Sequence, residues 1–135
     1  MAYKFEKLEV WQLALEYVDL IYNLAAKLPK SEEFNLKSQI TRAATSIALN
    51  IAEGSTGQSD AEQARFLGMA IRSLIETVAC QHIIQRRNYI QDIAVLDIAY
   101  EKSNGLARQL QAFRNSLTSR YNIKEDRFPY ITDEV

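Results

Sequence analysis

The stretch Gln39 to Ser55, QITRAATSIALNIAEGS, most constrains what this chain can fold into. Ile40, Ala43, Ala44, Ile47, Ala48 and Ile51 recur at three- and four-residue intervals, the period of a helix that buries one face. The stripe is rich in small residues, so this helix packs closely on others. Asn50 falls beside it, and a buried amide there must find partners or cost about 1–3 kcal/mol. Gly54 follows Glu53 where a helix closes on a left-handed residue.

The rest of the chain repeats the helical pattern. In the first helix, expected over Lys7–Leu28 and ended by Pro29, Trp11, Ala14, Val18, Ile21, Ala25 and Leu28 form one apolar row. Val10, Leu13, Tyr17, Leu20 and Leu24 form a second row beside it. Two rows make a wider face than one seam requires. The second row either meets another helix of the same bundle or meets another subunit. Ser31 with Glu32 and Glu33 reads as the start of the second helix, which runs to Glu53. GSTGQS, residues 54–59, is the clearest loop. Ser59 and Glu62 have the spacing of a capping box that opens the third helix. Asn88 breaks that helix, and Asp92 caps a fourth, expected to reach Tyr121 with Leu96, Ala99, Ser103, Leu106, Leu110, Phe113 and Leu117 as its core row. Gly105 inside it implies close packing or a bend, since glycine there costs about 1 kcal/mol against alanine.

Four long helices on short loops predict an all-α, antiparallel up-down-up-down four-helix bundle over residues 1–121, with a tail at 122–135. A length of 135 residues suits one domain. The 47% hydrophobic and 24% charged content excludes the low-hydrophobicity, high-charge signature of disorder. One cysteine, Cys80, permits no internal disulfide and suits a reducing compartment. The opening MAYKFEKLEVW has no apolar core of a secretory signal, and no run approaches a membrane span. The expected location is cytoplasmic.

The segments FEKLEVWQLALEYVDLIYNLAAKLP, EEFNLKSQITRAATSIALNIAEGS and FLGMAIRSLIE resemble the four-helix-bundle family of 23S ribosomal RNA intervening-sequence proteins, some of which are labelled ribosomal proteins. The resemblance spans roughly residues 5–90; the fourth helix matches in pattern only. It implies a bundle that assembles as a ring-like homo-oligomer, a pentamer, and implies little about activity, because the family name records where some of its genes lie. A similar fold serves as the basic, nucleic-acid-binding accessory protein of diversity-generating retroelements. Trp11, Gln39, Arg42, Ala43, Ser46, Asn50, Glu53, Gly54, Phe66, Leu67, Ser73 and Glu76 match the family pattern. Asn35 stands where the family often has Gly, and Arg72 replaces a usual Gly, which puts identical helix packing in question.

Reaction chemistry is sparse. Cys80 and His82, two apart, are turned about 200° from each other on a helix and cannot act as a pair. No Glu-x-x-His pair is present for a di-metal bundle site, and the glycine loop lacks the Lys of a phosphate cradle. The expectation is a protein that is not an enzyme and holds no cofactor or metal. Arg42, Asn50 and Glu53 form a polar set on neighbouring faces of one helix. They either line a partner groove, or Asn50 and Glu53 bond the following loop while Arg42 pairs with an acid across a helix or subunit contact.

Net charge is −1, so any nucleic-acid surface has to be local. The candidates are Arg108, Arg114, Arg120 and Lys124 on the fourth helix, with Arg86 and Arg87 at the end of the third. Lys102 and Arg120 fall in line along the fourth helix, while Arg108 and Arg114 point elsewhere. Cations there also complement the helix dipole. Repetition around a ring would turn such a patch into a multivalent, salt-sensitive surface. The functional expectation is a homo-oligomeric bundle that binds RNA or a ribonucleoprotein partner. The alternative is a protein-protein adaptor without nucleic-acid binding.

Overall fold

The structure, a computed structural model, describes residues 3–57 and 59–118. Four helices follow one another: α1 (Glu9–Ala25), α2 (Leu36–Gly54), α3 (Asp60–Arg86) and α4 (Ile93–Thr118). Short 3-10 turns at Lys4–Lys7 and Lys30–Glu32 precede α1 and α2. No strand occurs among the described residues. The expected tail at 122–135, which includes Lys124, and Arg120 at the expected end of the fourth helix lie outside them.

Helix ends follow local chemistry, with corrections. Ser31 sits in a 3-10 turn and does not start α2. Instead the Glu32 carboxylate accepts from the Leu36 amide at 3.3 Å and from Asn35 Nδ2 at 2.9 Å, placing an acid at the positive end of α2. Asn35, at φ −127°, is not left-handed. Ser59 Oγ accepts from the Glu62 amide at 3.0 Å, as the S-x-x-E spacing predicts. Asp92 Oδ1 accepts from the Ala94 amide at 3.1 Å to begin α4. Asn88 adopts φ +57° beyond the end of α3. There the amides of Asn88 and Tyr89 donate to the carbonyls of Gln85 and Ile84 at 3.0 and 3.3 Å, a Schellman closure with Asn in the usual Gly position.

Pair contacts set the directions. Gly54 meets Phe66 and Ser46 meets Ser73, so α2 and α3 are antiparallel. Arg114 reaches Ala64 while Tyr100 meets His82, so α3 and α4 are antiparallel too. Lys4, just before α1, lies with Gly54 at the far end of α2, which sets α1 against α2 in the same sense.

Every member of the α2 stripe is buried: Ile40, Ala43, Ala44, Ile47, Ala48 and Ile51. On α1 the bundle absorbs Ala14, Ile21 and Ala25 from one row and Val10, Tyr17 and Leu24 from the other. Leu13 and Leu20 remain half-buried at the margin. Across the core, Tyr17 Oη lies 2.7 Å from Thr77 Oγ1 and accepts from Gln81 Nε2 at 2.8 Å. Thr77 donates onward to the Leu74 carbonyl at 2.6 Å. Burial pushes the Tyr17 hydroxyl up to about 12.

Two glycines differ from expectation. Gly54 is the last residue of α2 and is not left-handed; Ser55 follows it as the cap, and Gly57, at φ +92°, is left-handed in the loop beyond. Gly54 is required because a Cβ there would lie 2.8 Å from Phe66 Cβ. Gly105 has no atom within 4 Å of where its Cβ would be, so it serves no close helix contact within the chain. It opens a hollow of about 250 Å3 between α1 and α4, lined by Leu13, Leu106 and Lys102 among others.

Candidate interaction surface

The basic residues expected to form one patch are dispersed. Arg114 is 5% exposed and is corrected from a surface contact to a core residue. Its guanidinium lies against Gly68, 3.2 Å from where a Cβ would be, and Nε donates to the Ala64 carbonyl at 3.3 Å. A glycine on α3 thus makes the room that an arginine on α4 fills. Arg108 is exposed on α4, about 22 Å along the helix from its start. Arg86 and Arg87 are exposed at the end of α3, beside the turn that leads into α4.

Arg87 is partly committed within the chain. Its Nε donates to Tyr89 Oη at 3.4 Å and its guanidinium stands 5.7 Å from the Tyr89 ring centre. Tyr89 Oη in turn donates to Glu32 Oε2 at 2.8 Å. That bond is the main reason the Glu32 carboxyl sits below its ordinary range. The chain α3–Tyr89–Glu32 ties the α3–α4 turn to the start of α2, a link that sequence spacing cannot show.

The polar set on α2 opens onto a broad groove of about 630 Å3 between α1, α2 and α3. Asn50 is 8% exposed, and its amide donates back to the Ser46 carbonyl at 2.9 Å and to Ser46 Oγ at 3.1 Å. Ser73 Oγ donates to the same Ser46 hydroxyl at 3.0 Å, pinning α3 to α2. Asn50 therefore satisfies its donors one turn back, and the loop that was expected to receive them is not involved. Arg42 and Glu53 are exposed, and neither has an ionic or hydrogen-bond partner among the described residues. Arg72 is exposed as well, so its bulk stays out of the α2–α3 contact.

Sequence reasoning missed the apolar part of this groove. Tyr22, Leu49 and Met69 line it at 49%, 54% and 36% exposure. Leu49 lies off the buried stripe, and that was the available signal. Gln39 is exposed and its amide donates to Asn35 Oδ1 at 3.1 Å, bracing the first turn of α2. Trp11 is half-buried and stacks edge-on against Phe5, ring centres 4.7 Å apart.

Cys80 is buried, which raises its thiol above the ordinary range, while His82 is exposed against Tyr100. Among the described residues no three His, Cys, Asp or Glu side chains converge as a metal set, and no helix is long and apolar enough to cross a membrane.

Fold and surface together define an all-α four-helix bundle with an open groove of exposed apolar side chains between charges. Over residues 6–115 the chain matches the 23S rRNA-intervening sequence protein family, and it belongs to that family. The match runs past the resemblance in the first three helices and takes in most of α4. Among curated proteins none matches the chain.

Proposed function

We propose that this protein is a non-enzymatic binding bundle that assembles from copies of itself and, once assembled, docks RNA or a ribonucleoprotein partner. The observation that carries the self-association is the groove, where Tyr22, Leu49 and Met69 stand exposed between the unpartnered Arg42 and Glu53. Wide apolar sectors in a water-soluble assembly are covered by a partner. The ring of five copies and the cytoplasmic location are part of this reading through the family.

The RNA arm draws on the family name and on Arg86, Arg87 and Arg108, exposed but scattered on one chain. Scattered cations gain avidity only when a symmetric assembly repeats them. A protein-protein adaptor is the second reading, favoured by the net charge of −1 and by the loss of Arg114 from the surface.

The test titrates structured and single-stranded RNA at low and physiological salt, beside a solution mass. Binding that weakens steeply with salt and fails in Arg86→Glu/Arg87→Glu/Arg108→Glu supports the RNA arm. No binding at low salt by an intact assembly leaves the adaptor. A monomer of 15.5 kDa refutes self-association.

A further inference from the structure

Gly105 weakens the middle of α4 by about 1 kcal/mol against alanine, and no neighbour within the chain needs its missing side chain. The hollow it opens is lined by Glu16 on α1 and by Glu101 and Lys102 on α4, with Leu13 and Leu106 as apolar walls. Glu16 and Glu101 are exposed, and neither forms an ion pair among the described residues. Two acids against one base leave the hollow acidic. It suits an arginine, whose stem packs on apolar walls while its guanidinium meets carboxylates. Arg42 stands exposed on α2 and has no ion pair among the described residues either.

Heights along the bundle decide whether a second copy can bring the two together. Ser46 meets Ser73 and Gly54 meets Phe66, while Tyr100 meets His82 and Arg114 meets Gly68. Every helix rises equally per residue, so counting through α3 sets each α2 residue level with an α4 residue about 62 or 63 positions later. Arg42 is thus level with Gly105. Leu49, seven residues on, is level with Ala112, which is exposed. A spacing of seven is close to two turns, so Arg42 and Leu49 share one face of α2, as Gly105 and Ala112 share one face of α4. Both helices run opposite to α3 and therefore run parallel. Rotation about an axis along the bundle preserves height and direction, so α2 of one copy meets α4 of the next parallel and level. Two projecting side chains then face two small ones at the same spacing.

We propose that the α1–α4 hollow receives Arg42 of a second copy, its guanidinium between the partner's Glu16 and the partner's Glu101, with Leu49 packed on the partner's Ala112. The inference rests on the self-association reading above and names the face that the groove meets. Helical side chains lean toward the N-terminus, which carries the Arg42 guanidinium from the height of Gly105 toward that of Glu101, about one turn earlier. Groove and hollow are different faces, so every copy offers α2 to one neighbour and receives α2 from the other. Such a head-to-tail contact closes rings of odd or even number, five copies included.

Native mass measurement of the full chain reads the assembly. Arg42→Glu sets an acid against the acids of the socket and weakens assembly roughly tenfold or more, and Glu16→Arg/Glu101→Arg does the same against Arg42. Circular dichroism stays unchanged, because all three side chains are exposed. Arg42→Glu/Glu16→Arg/Glu101→Arg in one chain restores assembly. Leu49→Cys/Ala112→Cys links chains in series on mild oxidation, whereas either cysteine alone links none, Cys80 being buried. Links from Leu49→Cys alone would place like faces together and overturn the socket. No link from the double cysteine variant overturns the register of Leu49 on the partner's Ala112. An assembly indifferent to the charge reversals overturns the socket and leaves self-association standing. Failure of the triple variant to restore assembly overturns the pairing of Arg42 with the partner's acids. A monomer overturns both readings.

Discussion

Gly54→Ala tests whether α2 and α3 approach as closely as the fold requires. The new Cβ would stand 2.8 Å from Phe66 Cβ, whereas carbon atoms rest at about 3.5–4.0 Å. Phe66 Cβ is attached to the α3 backbone and cannot swing aside, so the helices must part by roughly 0.7–1 Å or Phe66 must leave its position. Such overpacking costs about 1–3 kcal/mol. Opposing it, alanine gains less than about 1 kcal/mol of helix propensity, because Gly54 is the terminal residue of α2. The net expectation is a loss of about 1–2 kcal/mol, a fall in Tm of about 5 °C or more. Gly105→Ala is the matched control: the same chemical change in open space inside α4. It should stabilise by up to about 1 kcal/mol. Urea denaturation of both variants measures the difference. Gly54→Ala at or above wild-type stability would refute the close approach.

Arg114→Glu should abolish folding, because it places a carboxylate beside the Ala64 carbonyl in a site that is 5% exposed; circular dichroism reads the loss, and failure of RNA binding in this variant says nothing about contact. Tyr17 has a native value of about 12 against an ordinary 10.0, so burial favours its neutral form. That contribution is full below pH 10 and is lost as pH rises toward 12, up to about 3 kcal/mol. Tyr17→Phe should be less stable than wild type near neutral pH by about 1–3 kcal/mol, because Gln81 and Thr77 lose a buried partner, and the gap should narrow in alkali. A constant gap between pH 9 and 12 counts against that assignment. Ser46→Ala removes the shared acceptor of Asn50 and Ser73 and should lower stability by about 1 kcal/mol in the same denaturation assay.

Periodicity alone determined the bundle. The α2 stripe, the core row of α4 through Leu110, and the caps Ser59 and Asp92 were legible because each depends on residues two to four apart along one helix. The bulky wide face of α1 was legible as a face; which of its members reach the core was not.

Tertiary structure decided what lies between helices. Arg114 reads in sequence as a cation near a helix end, yet Gly68, forty-six positions earlier, makes the space that takes it inside. Gly54 reads as a stop signal, yet its missing side chain is needed by Phe66. The Tyr17–Thr77–Gln81 network joins residues 60 and 64 positions apart. The groove arises the same way, from Tyr22 on α1, Leu49 on α2 and Met69 on α3. Helical spacing is a property of one segment and is written along it. Burial of a charge and exposure of a leucine are properties of the neighbour's shape, which exists only after the helices have packed.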